Sequence, residues 1–125
     1  HRDSMLILDE VCSLGEKSAT GKYTIRGDEF FLDGHYPDNK IVPGTILCEI
    51  MAQLVAAFLS ERLKNRVPVL TGIKNANFKK MVLPPNELCV KMNVIRDAVR
   101  VVEADCSVSI GDNIMASAQI TVAII

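Results

Sequence analysis

The chain has 125 residues, enough for one domain with a full hydrophobic core and too few for two. Hydrophobic residues make up 49% and charged residues 23%, which excludes a disordered chain. Fourteen basic residues against 15 acidic leave a net charge of −1, which excludes a generally basic nucleic-acid binder.

In chain order, Leu6 to Leu14 and Lys17 to Arg26 read as two strands flanking a Gly15-Glu16 turn, a hairpin signal. Leu32 to Lys40 is crowded with turn residues and reads as a shaped loop. Pro43-Gly44-Thr45 then gives a helix start. From Ile46 to Leu59 every residue except Glu49 and Gln53 is apolar, and no Pro or Gly interrupts. This predicts one helix over about 44–64, apolar on nearly all sides and so buried on nearly all sides. Val67 to Phe78 reads as a third strand. Period-2 alternation over 88–94, 102–110 and 114–122, with a turn at Gly111-Asp112-Asn113, predicts a meander of three long strands. The expected architecture is a single α+β domain over 1–125, a curved antiparallel sheet of five or six strands wrapped round one central helix.

The cysteines, at 12, 48, 89 and 106, include no C-x-x-C pair, and three lie in apolar-periodic segments. They read as buried free thiols in a reducing, intracellular compartment, and the cytoplasm is the expected location. No apolar run reaches the length of a membrane span, and the N-terminus does not read as a signal peptide. The chain does not begin with Met, so His1 is expected to be a processed end, a cloning remnant or the start of the ordered part of a longer protein.

Glu49 and Gln53, spaced i, i+4 on one helix face, are the only polar side chains in the apolar run. One reading is a carboxyl in a mostly apolar cleft, steadied by an amide one turn away, which describes a general acid. The other is that this face of the helix points at solvent. His35, the one histidine besides His1, lies in the turn-rich loop fourteen residues before Glu49. A His and a carboxylate beside a helix N-terminus, whose backbone N–H groups can hold an oxygen gaining negative charge, suit proton abstraction next to a carbonyl followed by loss of a leaving group. A metal site at His35 lacks ligands in number and spacing, and no nucleophile elbow is present. Lys74, Lys79, Lys80, Lys91, Arg96 and Arg100 concentrate positive charge late in the chain, as a solvated sheet edge or a docking patch for an acidic partner.

The stretch from Gly34-His35-Tyr36-Pro37 through Pro43-Gly44 to Glu49-Ile50-Met51-Ala52-Gln53 resembles the active-site segment of the (3R)-hydroxyacyl-[acyl-carrier-protein] dehydratases of fatty-acid synthesis, the FabZ type, which reads G-H-F-P, then P-G, then an E-x-x-x-Q helix. His1 to Asp9 and Thr71 to Lys80 are similar to that family's opening segment and third-strand signature. The resemblance implies a hot-dog fold and a homodimer whose sites are shared between chains, in many members as a trimer of dimers. It implies dehydration of a 3-hydroxyacyl thioester on acyl carrier protein to the trans-2-enoyl product, with no cofactor and no metal. His35 would take the C2 proton, and Glu49, steadied by Gln53, would help protonate the departing hydroxyl. The Gly44 N–H would bind the thioester carbonyl, and the Ile41 carbonyl would orient His35. Lys79 and Lys80, with Arg96 and Arg100 as further candidates, would dock the carrier, with no role for nucleic acid or membrane. His1 then reads as a native residue behind a missing N-terminal segment.

Four positions depart from the family pattern. Tyr36 stands for Phe, Lys40 and Ser4 stand where Pro is common, and Val69-Leu70 lacks a Tyr near the tunnel mouth. Glu49 rather than Asp favours the simple dehydratase over the form that also isomerises, which is kept as an alternative together with a thioesterase of the same fold and an acyl-binding subunit without activity.

Overall fold

The computed structural model describes residues 10–26, 41–60 and 66–125. The beginning of the expected first strand, the turn-rich loop with His35, and the expected helix end over 61–64 lie outside the described residues. The described elements are β1 (Glu10–Leu14), β2 (Ser18–Ile25), α1 (Gly44–Ser60), β3 (Pro68–Phe78), β4 (Asn86–Ala98), β5 (Val101–Ile110) and β6 (Asn113–Ile124). Hairpin, helix start, third strand and meander all stand where the sequence patterns put them.

The six strands form one antiparallel sheet in the order β1-β2-β4-β5-β6-β3. The meander supplies its centre, and β3 crosses over to the far edge beside β6. On β2, β5 and β6 buried residues alternate with wetter ones, so each strand lays one face on the core. Helix α1 fills the concave face and touches every strand. Its Ile50, Met51, Leu54, Val55 and Leu59 are fully buried against Ile25, Leu88, Val90, Val108 and Ile120. Each such side chain stabilises the fold by roughly 1.5–3 kcal/mol through burial.

The helix is not buried all round. Thr45, Glu49 and Ser60 are exposed, and Ile46, Gln53, Ala56 and Ala57 are half-buried, so one stripe of α1 escapes the sheet. The cause is the finite width of the sheet, which ends at β3. That edge strand is itself exposed along nearly its whole length. The cysteine reading also needs correction. Cys48 and Cys106 are buried, but Cys89 is only partly covered and Cys12, on the edge strand β1, is exposed.

β3 departs from simple alternation at two bulges. One lies between Leu70 and Gly72, the other between Lys74 and Asn77, and each sets one extra β3 residue against β6. Leu70, Ile73 and Phe78 therefore stand opposite the buried Val122, Ile120 and Ala116, all on the inner face, at spacings that a regular strand does not allow. At the second bulge Asn75 adopts a left-handed backbone (φ 53°), and its side-chain amide donates to Gln119 Oε1 at 3.1 Å. Asn tolerates this conformation, whereas a β-branched side chain is strained by it. Asn75→Val is expected to lower the free energy of urea unfolding by about 1–2 kcal/mol. Asn75→Gly, which keeps the backbone conformation but loses the amide, should fall between Asn75→Val and the parent protein.

Candidate active site

The site is built where the start of α1 meets the end of β3. Pro43 fixes the approach, and its carbonyl accepts from Ile46 N at 3.0 Å and Leu47 N at 3.2 Å. The N–H groups of Gly44 and Thr45 have no acceptor within the helix, as at any helix start. The preceding backbone is tied down by Val42 N donating to Val82 O at 2.9 Å. A Cβ added to Gly44 would stand 2.9 to 3.1 Å from three ring carbons of Phe78, so the close approach of helix and ring is open to glycine alone unless the ring moves.

Around this junction opens a cavity of about 790 Å³. Helix residues Gly44, Thr45, Leu47, Cys48 and Glu49 form one wall, the inner-face β3 residues Leu70, Ile73 and Phe78 the other, and Lys79 to Val82 the lip. The lining is mainly apolar, with Glu49 as its carboxylate and two lysines at the rim. A smaller hollow of about 80 Å³ adjoins it, lined by Glu49, Ala52, Gln53, Ala56, Pro68, Leu70 and Val122. Glu49 thus stands between the two hollows, on the uncovered stripe of α1. Gln53 Nε2 donates to Glu49 Oε2 at 3.5 Å, the outer limit of a hydrogen bond.

The expected site residues separate into groups. Glu49, Gly44 and Ile41 all line the large cavity, and Gln53 supports Glu49 from the smaller one. Of the two readings of Glu49, the outward one holds within a single chain, since the residue is exposed. His35 lies outside the described residues. Lys79 and Lys80 directly follow β3, which ends at Phe78 where the sequence pattern put its end, and both are exposed at the cavity lip. Their backbone N–H groups both donate to Met115 O, at 2.8 and 3.2 Å, and Lys80 Nζ reaches Asn113 Oδ1 at 3.5 Å.

Arg96 and Arg100 are elsewhere. They sit by the β4–β5 turn, while Lys79 and Lys80 sit by the β5–β6 turn, so the length of β5, about 33 Å for its ten residues, divides them. Arg96 is also held by Glu103, which pairs with Lys74 as well, at 3.8 and 3.4 Å. The four basic residues are therefore not one patch.

Sequence patterns alone do not put Ile73 on one face with Leu70 and Phe78, because the two bulges are invisible to a period-2 reading. Gly72 and the Asn75/Asn77 pair, poor strand formers inside a strand, are the signal that marks them. Two buried thiols back the helix wall. Burial pushes Cys48 up, and burial with the Asp105 carboxylate beside it pushes Cys106 up to about 12, so both stay protonated and unreactive at neutral pH.

Comparison with known proteins agrees with this geometry. A family model described as a FabA-like domain matches residues 1–119. The 3-hydroxyacyl-[acyl-carrier-protein] dehydratase FabZ of Thermoanaerobacter sp. is 32% identical over 123 residues, covering 96% of this chain and 87% of the relative. The protein of the same name from Macrococcus caseolyticus is 30% identical over 128 residues, covering 100% and 88%. Among solved structures, a dehydratase heterocomplex from Xenorhabdus doucetiae superposes with a TM-score of 0.86 at 16% identity, covering 98% of this chain and 85% of that one. A mutant thioesterase from Pseudomonas aeruginosa superposes at 0.70 with 14% identity, covering 93% and 80%. At such identities these two speak for the fold alone, which is the hot-dog fold. The sequence relatives, matched over nearly the whole chain, place it within that fold: the chain belongs to the FabA-like family, as a FabZ-type 3-hydroxyacyl-[acyl-carrier-protein] dehydratase.

Proposed function

We propose that this chain dehydrates (3R)-3-hydroxyacyl chains carried on acyl carrier protein to the trans-2-enoyl product, as a step of fatty-acid elongation in the cytoplasm. The observation that carries the reading is the carboxylate of Glu49, the one carboxylate among the described lining residues, set in an apolar-lined cavity that also contains the start of α1. The apolar walls suit an acyl chain. The helix start offers the Gly44 N–H to the thioester carbonyl, where negative charge builds as the C2 proton leaves. His35 takes that proton, its ring oriented by the Ile41 carbonyl. The electron pair of the C2–H bond becomes the C2=C3 double bond, the C3–O bond breaks, and Glu49 protonates the leaving oxygen to release water. Gln53 holds the Glu49 carboxylate during the transfer. No step needs a metal or a redox partner.

The uncovered helix stripe and the exposed inner face of β3 support a homodimer in which His35 of one chain serves Glu49 of the other. Trimers of dimers are the higher assembly of this reading. The thioesterase alternative shares the fold but needs an attacking water at the carbonyl, and nothing among the described lining residues favours that over elimination.

His35→Ala and Glu49→Ala are each expected to lower turnover of 3-hydroxybutyryl or crotonyl thioesters by about 10²-fold or more, the usual scale for one acid or base. Glu49→Ala should leave the fold intact, because Glu49 is exposed and fills no part of the core. Circular dichroism and a hydration assay check this together, and near-normal turnover in either variant contradicts the assignment.

Lys79 and Lys80, exposed at the lip, are the proposed contacts for the acidic carrier. Exposed ion pairs are worth about 0–1 kcal/mol each and weaken with salt. Replacing both by Glu should raise KM for carrier-linked substrate, most at low salt, and leave kcat nearly unchanged. Substrate on a small pantetheine mimic should be unaffected. Equal damage with the mimic would move the docking surface away from these lysines.

A further inference from the structure

Phe78 has no part in the acid–base chemistry, yet its ring packs closer to the helix start than a side chain on Gly44 would allow. Three carbons of its ring tip, Cζ, Cε1 and Cε2, lie 2.9 to 3.1 Å from where a Cβ on Gly44 would stand. The ring therefore abuts the residue whose N–H is proposed to hold the thioester carbonyl. Its placement is built in from both sides. The bulge at Asn75, pinned by the Asn75–Gln119 hydrogen bond, turns Phe78 to the inner face. Directly after it, Lys79 and Lys80 both bond through their backbone N–H groups to Met115 O. The opposite side of the ring is open, with Phe78 51% exposed, so the core does not need the ring for its own packing.

The geometry points to Phe78 as a specificity-determining residue: its ring fills the space beside the helix start that a substituent on C2 of the acyl chain would occupy, and it restricts the site to acyl thioesters unbranched at C2. The inference rests on the proposed role of the Gly44 N–H. C2 is bonded to the carbonyl carbon, so a carbonyl held at Gly44 brings C2 to the helix start against which the ring packs. Leu47, Cys48 and Val82, which line the same cavity, are buried. Shape exclusion of this kind is ordinarily worth roughly 10–200-fold in kcat/KM per methylene-sized group.

The test compares the parent protein with Phe78→Ala and Phe78→Leu. The substrates are the pantetheine thioesters of crotonate and of 2-methylcrotonate, and the readout is hydration. The parent protein should prefer the unbranched substrate by about tenfold or more. In Phe78→Ala that preference should shrink by about tenfold, chiefly through a rise in kcat/KM for the branched substrate, with Phe78→Leu between the two. A merely structural role for the ring would lower both substrates together and leave their ratio in place. An unchanged ratio in both variants overturns the inference. If Phe78→Ala does not fold, Phe78→Leu alone decides by the same ratio. The unreactive pantetheine amides of the same two acids supply a second arm, read as dissociation constants by calorimetry. If the parent protein hydrates neither thioester, the dehydratase reading falls, and the amide affinities then decide the wall by themselves. A branched-to-unbranched affinity ratio that the ring's removal does not change overturns the inference there too.

Discussion

The structure depends on a mismatch of extent between one helix and one sheet. α1 is apolar round nearly its whole circumference, and an element of that kind is stable only when covered. The six-stranded sheet curls far enough to bury Leu47, Ile50, Met51, Leu54, Val55 and Leu59, and then ends at β3. What is left is a stripe of α1 with Glu49 in its middle, flanked by an edge strand whose Val69, Leu70 and Ile73 are 36 to 44% exposed. Apolar surface of this sort next to an unpaired strand edge is an invitation to a second copy. The same deficit that leaves the core helix incompletely covered therefore puts the proposed acid where two chains would meet.

The chemistry of the cavity follows from backbone details of β3. Each bulge costs ladder regularity, and together they bring Leu70, Ile73 and Phe78 to one face. Without them Ile73 would face outward, and the cavity would lose much of its apolar wall. Gly44 completes the arrangement from the helix side by lacking the Cβ that would collide with Phe78. The lysines at the lip and the arginines at the opposite end of β5 then belong to different surfaces, and Glu103, joining Lys74 and Arg96, serves the outer sheet rather than the cavity.

Most of the architecture was legible in the sequence because it is written in periodicities. The unbroken run from Ile46 to Leu59 marks the helix, alternation marks the meander, and Pro43-Gly44 marks the start of the site. Glu49 was picked out by residue type and spacing, Gly44 and Ile41 through the family resemblance, and all three line one cavity. The outward setting of Glu49 was not legible, since composition shows how apolar a helix is but not how far a sheet reaches round it. The inner-face role of Ile73 was hidden because the first bulge reverses the side chains after it until the second restores them, and only the strand-breaking Gly72 and Asn75 hint at it.

The central claim is that the catalytic pair is drawn from two chains, with Glu49 offered on the face that its own sheet leaves open. Its most direct test mixes inactive His35→Ala subunits with inactive Glu49→Ala subunits and measures crotonyl-thioester hydration once mass spectrometry has verified exchange. Random re-pairing in a two-fold dimer leaves one intact site in each mixed pair, so activity should return to about a quarter of that of the parent protein. No recovery after verified exchange would contradict the shared site.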